Sequence, residues 1–226
     1  MPATRARGAL RGATWRTVPQ VARDRVSLIQ PPGRDAVAAP HARRFRAVIH
    51  PTVETERLIL RPWRPAEDLE ALVALNADPA VMRWVAPNRP LTPAESAELL
   101  DRLVRDWDEH GFGLWALVPR EPGAGCIGFA GLAIPSFLPA VLPAVEVGWR
   151  LAPAWWGRGL ATEAARASID FGFERLGLRS IVSIIDERNT RSLRLAERLG
   201  MQRGADRLHP LTRRRLRVMQ LRRTEP

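Results

Sequence analysis

Residues 155–165, with the sequence WWGRGLATEAA, constrain the fold more than any other part of the chain. They follow an apolar run that ends at Leu151 and open a long helical pattern, so they predict a turn from a strand into a helix. Gly157 and Gly159 allow the main chain to turn sharply and to approach a ligand closely. The first N–H groups of a helix have no partner within it and lie at the positive end of its dipole. The segment therefore predicts a phosphate-binding turn, into which a pyrophosphate fits.

Length and composition set the class of protein. A chain of 226 residues with 46% hydrophobic content is large enough for one domain and an appendage. No apolar run approaches the roughly 20 residues that cross a bilayer, and the first residues lack the apolar region of a secretory signal. The single Cys126 excludes an internal disulfide, and the four histidines show no metal-ligand spacing. We expect a cytoplasmic protein without a metal ion or a membrane partner.

The net charge of +11 is unevenly distributed. Residues 1–50 contain ten Arg against Asp24 and Asp35, so most of the excess positive charge lies there. All 35 basic residues are Arg and none is Lys, which indicates a coding preference for Arg more than selection for phosphate contacts. We therefore do not expect nucleic acid as a partner.

Residues 1–50 show no sustained helical or strand period and are interrupted by Pro19, Pro31, Pro32 and Pro40. Three interpretations are open. The segment is a disordered or loosely attached extension, an organelle transit peptide in which Ser27 is the only serine, or the result of a start placed too far upstream of Val48 or Val53. We predict an Arg-rich N-terminal extension over residues 1–50 and a folded domain over residues 51–226.

Regular structure is predicted from Glu54 onward. Residues 57–61 form a strand candidate, and Pro65 opens a helix over residues 66–76. The sequence TPAE at residues 92–95 combines a helix N-cap, a proline in the first turn and a reciprocal Glu, and the amphipathic helix that follows ends at Gly111.

The second half of the chain supplies most of the predicted sheet. Short connections between its first three strand candidates indicate antiparallel neighbours, whereas a helix over residues 158–176 makes one strand-helix-strand crossover. The later elements are an apolar strand at 180–185, a helix capped by Asn189 and a last strand at 215–221. The predicted class is α+β, with a mixed, mostly antiparallel central sheet and helices on both faces. The first three strand candidates cover residues 113–118, 126–134 and 145–151.

Several motifs carry a family resemblance. In chain order they are TERLILR at 55–61, VEVGW at 145–149, WGRGLATEA at 156–164, and NTRS at 189–192 with LGM at 199–201. Their order and their strand and helix context resemble the GNAT acyltransferases over residues 52–221, and within them the branch of the ribosomal-protein N-terminal acetyltransferases.

The resemblance implies that acetyl-CoA is the co-substrate. Its pyrophosphate maps onto the turn and first helical residues: Gly157, Arg158, Gly159, Leu160, Ala161 and Thr162. The family usually begins this motif with Gln or Arg, where this chain has Trp156. Arg158 either reaches a phosphate or is a solvated charge.

Pantetheine is expected beside the preceding strand. The strand residues Trp149, Arg150 and Leu151 resemble those whose main-chain groups pair with the pantetheine arm, in the manner of an added strand. Asn189 resembles the family asparagine that bonds this arm, and the same position suits a helix N-cap.

Three residues bear on the acetyl transfer. Glu146, a carboxylate between apolar strand residues, is the candidate general base, and the alternatives are that it faces solvent or pairs with an arginine. Many relatives use a tyrosine to protonate the leaving thiolate, but this chain has none, so Ser192 is the candidate general acid or else a simple first-turn residue. Cys126 has no histidine nearby in sequence and is interpreted as a structural thiol.

The expected function is acetyl transfer from acetyl-CoA to an amine by direct attack in a ternary complex. The acceptor site is expected between the helices of residues 66–110, the loop at 135–143 and the end of the Glu146 strand. A protein N-terminus, an amino acid, a polyamine and an aminoglycoside are all open as acceptors. The alternatives are a non-catalytic acyl-CoA sensor of the same fold and an RNA-associated module that uses the basic extension. We expect a monomer or a homodimer.

Overall fold

The structure is a computed structural model, and it describes residues 14–16 and 50–224. Within these residues nine strands form one sheet. The strands are β1 Thr14–Arg16, β2 Thr52–Glu54, β3 Leu58–Arg61, β4 Leu114–Pro119, β5 Gly128–Ala133, β6 Glu146–Leu151, β7 Ser180–Asp186, β8 Gln202–Leu208 and β9 Arg215–Arg222. The helices are α1 Pro65–Ala77, α2 Pro79–Met82, α3 Pro93–His110, α4 Leu160–Glu174 and α5 Thr190–Arg198.

The order of strands across the sheet is β1-β2-β3-β4-β5-β6-β7-β9-β8. Neighbouring strands are antiparallel except β6 and β7, which are parallel and are connected through α4. The prediction of a mixed, mostly antiparallel sheet with one crossover is therefore confirmed.

Helices cover both faces of this sheet. In β4, Trp115 and Leu117 belong to a core cluster that includes Phe171 of α4, whereas Ala116 between them belongs to a second cluster with Leu72 of α1 and others from α3. Successive strand residues point to opposite faces, so these two clusters lie on opposite sides of the sheet. Helix α5 packs into the α4 cluster.

The predicted start and end of α3 are both confirmed. Thr92 accepts from the Glu95 N–H while the Glu95 carboxylate accepts from the Thr92 N–H, which is the predicted capping box. The helix ends at Gly111, whose φ is +73°. Its amphipathic sequence places Leu100 and Leu103 against the sheet.

Several elements were not predicted. β8 was not predicted from the sequence. Its residues are mostly exposed, since it pairs with β9 at the edge of the sheet, so it lacks the apolar alternation of a buried strand. β2 places regular structure two residues before Glu54, and α2 adds one short helical segment after α1.

Part of the predicted N-terminal extension is described. β1, at Thr14–Arg16, pairs with β2 at the other sheet edge. The rest of residues 1–49 lies outside the described residues, so the expectation of disorder there remains a prediction. None of the helices in the described part of the chain has the length and apolar character needed to cross a membrane.

Candidate active site

The strands β6 and β7 form a fork. They pair at one position, Glu146 opposite Val182, where the Val182 N–H donates to the Val145 carbonyl at 2.9 Å. Two residues further along β7, the Ile184 N–H donates to Glu146 Oε1 at 3.1 Å. A side-chain carboxylate thus takes the position that a main-chain carbonyl of β6 holds in a continuous parallel ladder, and the two strands separate beyond it.

Main-chain groups of β6 line this fork. Because the Val145 carbonyl points toward β7, strand alternation directs the main-chain groups of Val147 and Trp149 to the same side. Those of Arg150 point the other way, toward Phe129 of β5. The Leu151 carbonyl accepts the Trp156 indole N–H at 2.7 Å. Leu151 faces the same side as Trp149, but its carbonyl is occupied by this bond, so of the three residues predicted to pair with pantetheine Trp149 has the more accessible main chain.

The Glu146 side chain lies at the closed end of the fork and is half-buried. Desolvation by burial raises the pKa of its carboxyl to about 7, and the hydrogen bond from the Ile184 N–H, which stabilises the carboxylate, opposes part of that rise. A carboxyl with a pKa near neutrality exchanges protons readily at neutral pH, which is what a general base requires.

The turn before α4 has the geometry that its glycines predict. Gly157 has a φ of +77° and Gly159, the N-cap of α4, a φ of +79°, a left-handed conformation that residues other than glycine rarely adopt. A Cβ atom at Gly157 would meet no atom of the described residues within 4 Å, so the turn faces open space there. No side chain of the described residues caps α4, and the first intrahelical bond runs from the Glu163 N–H to the Gly159 carbonyl. The N–H groups of Leu160, Ala161 and Thr162 are therefore available to an anion.

Glu163 anchors this turn to the segment just before β3. Its carboxylate accepts from the Thr55 hydroxyl at 2.6 Å, from the Arg57 N–H at 2.8 Å and from the Arg57 guanidinium at 2.7 Å. Burial opposes ionisation of Glu163, but the hydrogen bonds from Thr55 and Arg57 outweigh it and hold its pKa below the usual value.

Arg57 extends the same anchor into the turn itself. Its Nη1 donates to the Arg158 carbonyl at 2.8 Å. Sequence reasoning missed this anchor, although both partners lie within the quoted motifs, because about a hundred residues separate them.

Cation–π contacts surround the turn. The Arg158 guanidinium lies 4.8 Å from the centroid of the Trp155 ring, and that of Arg191 lies 4.4 Å from the Trp156 ring. Trp156, which departs from the family pattern, thus joins the end of β6 to α5 through its indole N–H and its ring face. The phosphate contact predicted for Arg158 stays a prediction.

The start of α5 contacts β6. Asn189 Oδ1 accepts from the Ser192 N–H at 3.2 Å, so Asn189 is the N-cap of α5, as one of its two interpretations predicts. The Trp149 indole N–H donates to Ser192 Oγ at 3.3 Å. The fold therefore brings Ser192 to the strand that carries Glu146.

Cys126 lies apart from this arrangement. It packs against the cluster of α1 to α3, and its thiol donates to the Gly128 carbonyl at 3.3 Å. Burial raises the pKa of the thiol to about 11, so it is protonated and a poor nucleophile at neutral pH. Among residues 50–224, no group of three or more His, Cys, Asp or Glu side chains is placed to hold a metal ion.

Comparison with known proteins agrees with this geometry. A family model described as acetyltransferase (GNAT) domain matches residues 57–202, from the start of β3 to the start of β8. This chain belongs to the GNAT acetyltransferase family. The match covers the fork, the turn and the start of α5, and it makes the chain an acetyl-CoA-dependent N-acetyltransferase by family.

The similar proteins include acetyltransferases named for nitrogen acceptors. The chain is 32% identical over 145 residues to the FsC-acetyl coenzyme A-N(2)-transacetylase of Aspergillus fumigatus, an alignment that covers 58% of this chain and 57% of that protein. It is 28% identical over 150 residues to the spermidine N(1)-acetyltransferase of Escherichia coli K12, over 66% of this chain and 75% of that one. The chain thus spans a little over half the length of the fungal relative.

A solved structure confirms the fold. The acetyltransferase from Agrobacterium tumefaciens str. C58 superposes with a TM-score of 0.65 at 29% identity, and the match covers 84% of this chain and all of that one.

A cavity of about 270 Å³ lies on the α1–α3 side of the GNAT domain. Its wall combines apolar residues of α2 and the following loop with Glu95, Glu98 and Arg102 of α3 and with Arg150 of β6. This position matches two parts of the predicted acceptor region, the helices of 66–110 and the strand of Glu146. The third part, the loop at 135–143, lines a separate groove against β7, β8 and β9.

Proposed function

We propose that this protein transfers the acetyl group of acetyl-CoA to a primary amine by direct attack within a ternary complex. The observation that carries the proposal is the fork between β6 and β7, which holds the Glu146 carboxyl, with a pKa of about 7, beside unpaired main-chain positions of β6.

The turn and the fork fit the two parts of acetyl-CoA. The uncapped start of α4 and the open space at Gly157 suit the pyrophosphate, with N–H groups of Leu160, Ala161 and Thr162 as donors. Pantetheine would lie along the Trp149 main chain as an added strand, which directs the thioester toward Glu146. The Asn189 amide, at the start of α5, would contact the same arm.

Glu146 acts on the amine. It takes the proton, directly or through one water, as the amine nitrogen forms a bond to the thioester carbonyl carbon. The C–S bond then breaks and its electron pair leaves with sulfur, so the products are an acetylated amine and CoA.

Ser192 is the proposed proton donor to the departing sulfur. Its Oγ accepts from the Trp149 indole, so its own hydroxyl hydrogen remains available for donation. A thiol has a pKa of about 8.5 and leaves readily as thiolate, so this donation contributes less than proton removal by Glu146.

Two acceptor classes are consistent with the motifs. The resemblance to the ribosomal-protein N-terminal branch favours a protein N-terminus, whereas the names of the fungal and bacterial relatives favour a small-molecule amine. The reacting group is an amine nitrogen in each case.

The test is an acceptor screen with acetyl-CoA, read by mass spectrometry as a gain of one acetyl group on peptides, amino acids or polyamines. We expect turnover of at least one amine and a rise in melting temperature when acetyl-CoA binds. Binding without turnover of any amine would indicate a non-catalytic sensor instead. An acetylated Cys126 that passes its acetyl group to the amine would replace direct attack with a covalent route.

A further inference from the structure

The side chain of Arg150 lies on the face of β6 that borders the cavity. Because side chains alternate along a strand, Glu146, Gly148 and Arg150 share one face, which is the face that α1 to α3 cover. Arg150 lines the cavity of about 270 Å³ on that face. Its side chain therefore lines the cavity, and its main chain pairs with β5.

The positive charge of Arg150 is not matched by an anion. Its Nη1 donates to Asn76 Oδ1 at 2.6 Å, and its guanidinium carbon lies 4.8 Å from the centroid of the Phe129 ring. Its Nε is buried and has no hydrogen-bond partner within the described part of the chain. No Asp or Glu oxygen among residues 50–224 forms an ion pair with it.

Another arginine shows how the same fold neutralises a half-buried guanidinium. Arg61 of β3 donates to both carboxylate oxygens of Asp68, at 2.7 and 2.8 Å. Asn76, the partner of Arg150, is neutral and is itself held by a hydrogen bond to Ser96. A buried cation without a counter-charge is costly, and desolvation lowers the pKa of Arg150 to about 10, which still leaves it charged at neutral pH.

We propose that Arg150 binds an anionic group of the acetyl acceptor, a carboxylate or a phosphate, so that the acceptor carries its amine and an anion in one molecule. This inference rests on the proposed acetyl transfer at Glu146. A guanidinium pairs with either anion through two parallel N–H groups, and it remains charged while it does so.

The surface between the two residues leaves room for such an acceptor. Gly148 has no side chain, and a Cβ atom there would meet only Leu114 Cδ2, at 3.9 Å. Four residues along a strand separate the Cα atoms of Glu146 and Arg150 by roughly 13 Å. Of the other charged residues that line the cavity, Glu95 is paired with Arg89, and Glu98 and Arg102 are exposed and opposite in charge.

The test uses pairs of acceptors that differ only in the anion. A series of ω-amino acids, from glycine to 6-aminohexanoate, and of dipeptides is compared with the corresponding amides, with O-phosphoethanolamine as the phosphate arm and spermidine as an amine without an anion. We expect kcat/KM for the best carboxylate or phosphate acceptor to exceed that of its uncharged counterpart at least tenfold. Equal or better turnover of the amides or of spermidine would overturn the inference without any variant.

Variants then assign the preference to Arg150. In Arg150→Gln, the ratio of kcat/KM for the anionic acceptor to kcat/KM for its uncharged counterpart should fall toward one, because KM for the anionic acceptor rises. KM for acetyl-CoA should be unchanged. Arg150→Lys should retain part of the preference. Arg105→Gln, an exposed arginine of α3 outside the cavity wall, is the matched control. An unchanged preference in folded Arg150→Gln would also overturn the inference.

The two proposals fail differently. If no amine is acetylated, the proposed function fails. If amines are acetylated without regard to an anion, only the assignment of Arg150 fails.

Discussion

The turn before α4 and the fork between β6 and β7, the two parts of the proposed site, owe their properties to different physical causes. The turn offers main-chain N–H groups, and its shape depends on two glycines with φ near +78°. The fork offers the side chain of Glu146, whose pKa depends on burial by elements distant in sequence. The conformation of the turn is therefore set largely by local main-chain preferences, whereas the raised pKa of Glu146 needs an environment that only the assembled sheet provides.

The largest expected effect is on the fork. Glu146→Gln keeps the size of the side chain but removes the proton acceptor, so kcat should fall by ~10²–10⁴-fold. In the parent, kcat/KM should rise with pH through an apparent pKa near 7, since the carboxyl must be ionised, and this limb should be absent in the variant. Acetyl-CoA affinity, measured by calorimetry, should persist. Full activity of the variant would remove Glu146 from the mechanism.

A substitution in the turn should abolish acetyl-CoA binding, which Glu146→Gln is expected to keep. Gly159→Val places a β-branched residue at a φ of +79° beside the Arg57 guanidinium, so the rise in melting temperature with acetyl-CoA should disappear. Gly123→Val is the matched control, because Gly123 also has a φ of +79° but lies in a turn between β4 and β5. It should lose comparable stability and keep the acetyl-CoA shift. If Gly159→Val binds acetyl-CoA as well as the parent, the turn is not the phosphate site.

Glu163 tests whether the turn depends on its tertiary anchor. Glu163→Gln removes the charge that accepts from Thr55 and Arg57, and the free energy of unfolding should fall by about 1–3 kcal/mol. The pKa of Glu163 is lowered by folding, so this contribution is present above the pKa of the unfolded chain and is lost as pH falls. Glu67→Gln, in an exposed pair with Arg64, should cost far less. Urea unfolding at pH 7 compares the two, and equal losses would contradict the anchor.

The stability contributed by Glu146 should change with pH in the opposite direction to that contributed by Glu163. The pKa of Glu146 is raised by folding, so its contribution to stability is present below the pKa of the unfolded chain and is lost as pH rises toward about 7. Glu146→Gln, which resembles the protonated carboxyl, should melt at a higher temperature than the parent at pH 8 and at a similar temperature near pH 4.5. A difference that does not change with pH would show that burial does not penalise the carboxylate.

Ser192 should have the smallest effect on the rate. Ser192→Ala should lower kcat by less than about tenfold, because thiolate departure needs little protonation. Cys126→Ala, which removes a thiol outside the fork, should leave kcat unchanged and serves as the control. A loss in Ser192→Ala as large as that in Glu146→Gln would make protonation of the leaving group as important as activation of the amine.

The predictions that succeeded rest on signals that act over a few residues. The capping box at Thr92, the end of α3 at Gly111, the left-handed glycines before α4 and the cap at Asn189 each express a local main-chain requirement. The edge strand β8 was missed because an exposed strand needs no apolar pattern.

The sequence by itself determined most of the elements, the order of the motifs and the conformation of the turn proposed to bind an anion, because turn and cap preferences are set by neighbouring residues. Only the tertiary structure decided that Glu163 meets Arg57, that Trp149 contacts Ser192 and that Arg150 has no carboxylate partner among residues 50–224. It also decided the raised pKa of Glu146. The physical reason is that ion pairing and desolvation depend on which distant segments pack around a side chain, and the residues next to it in sequence do not determine this.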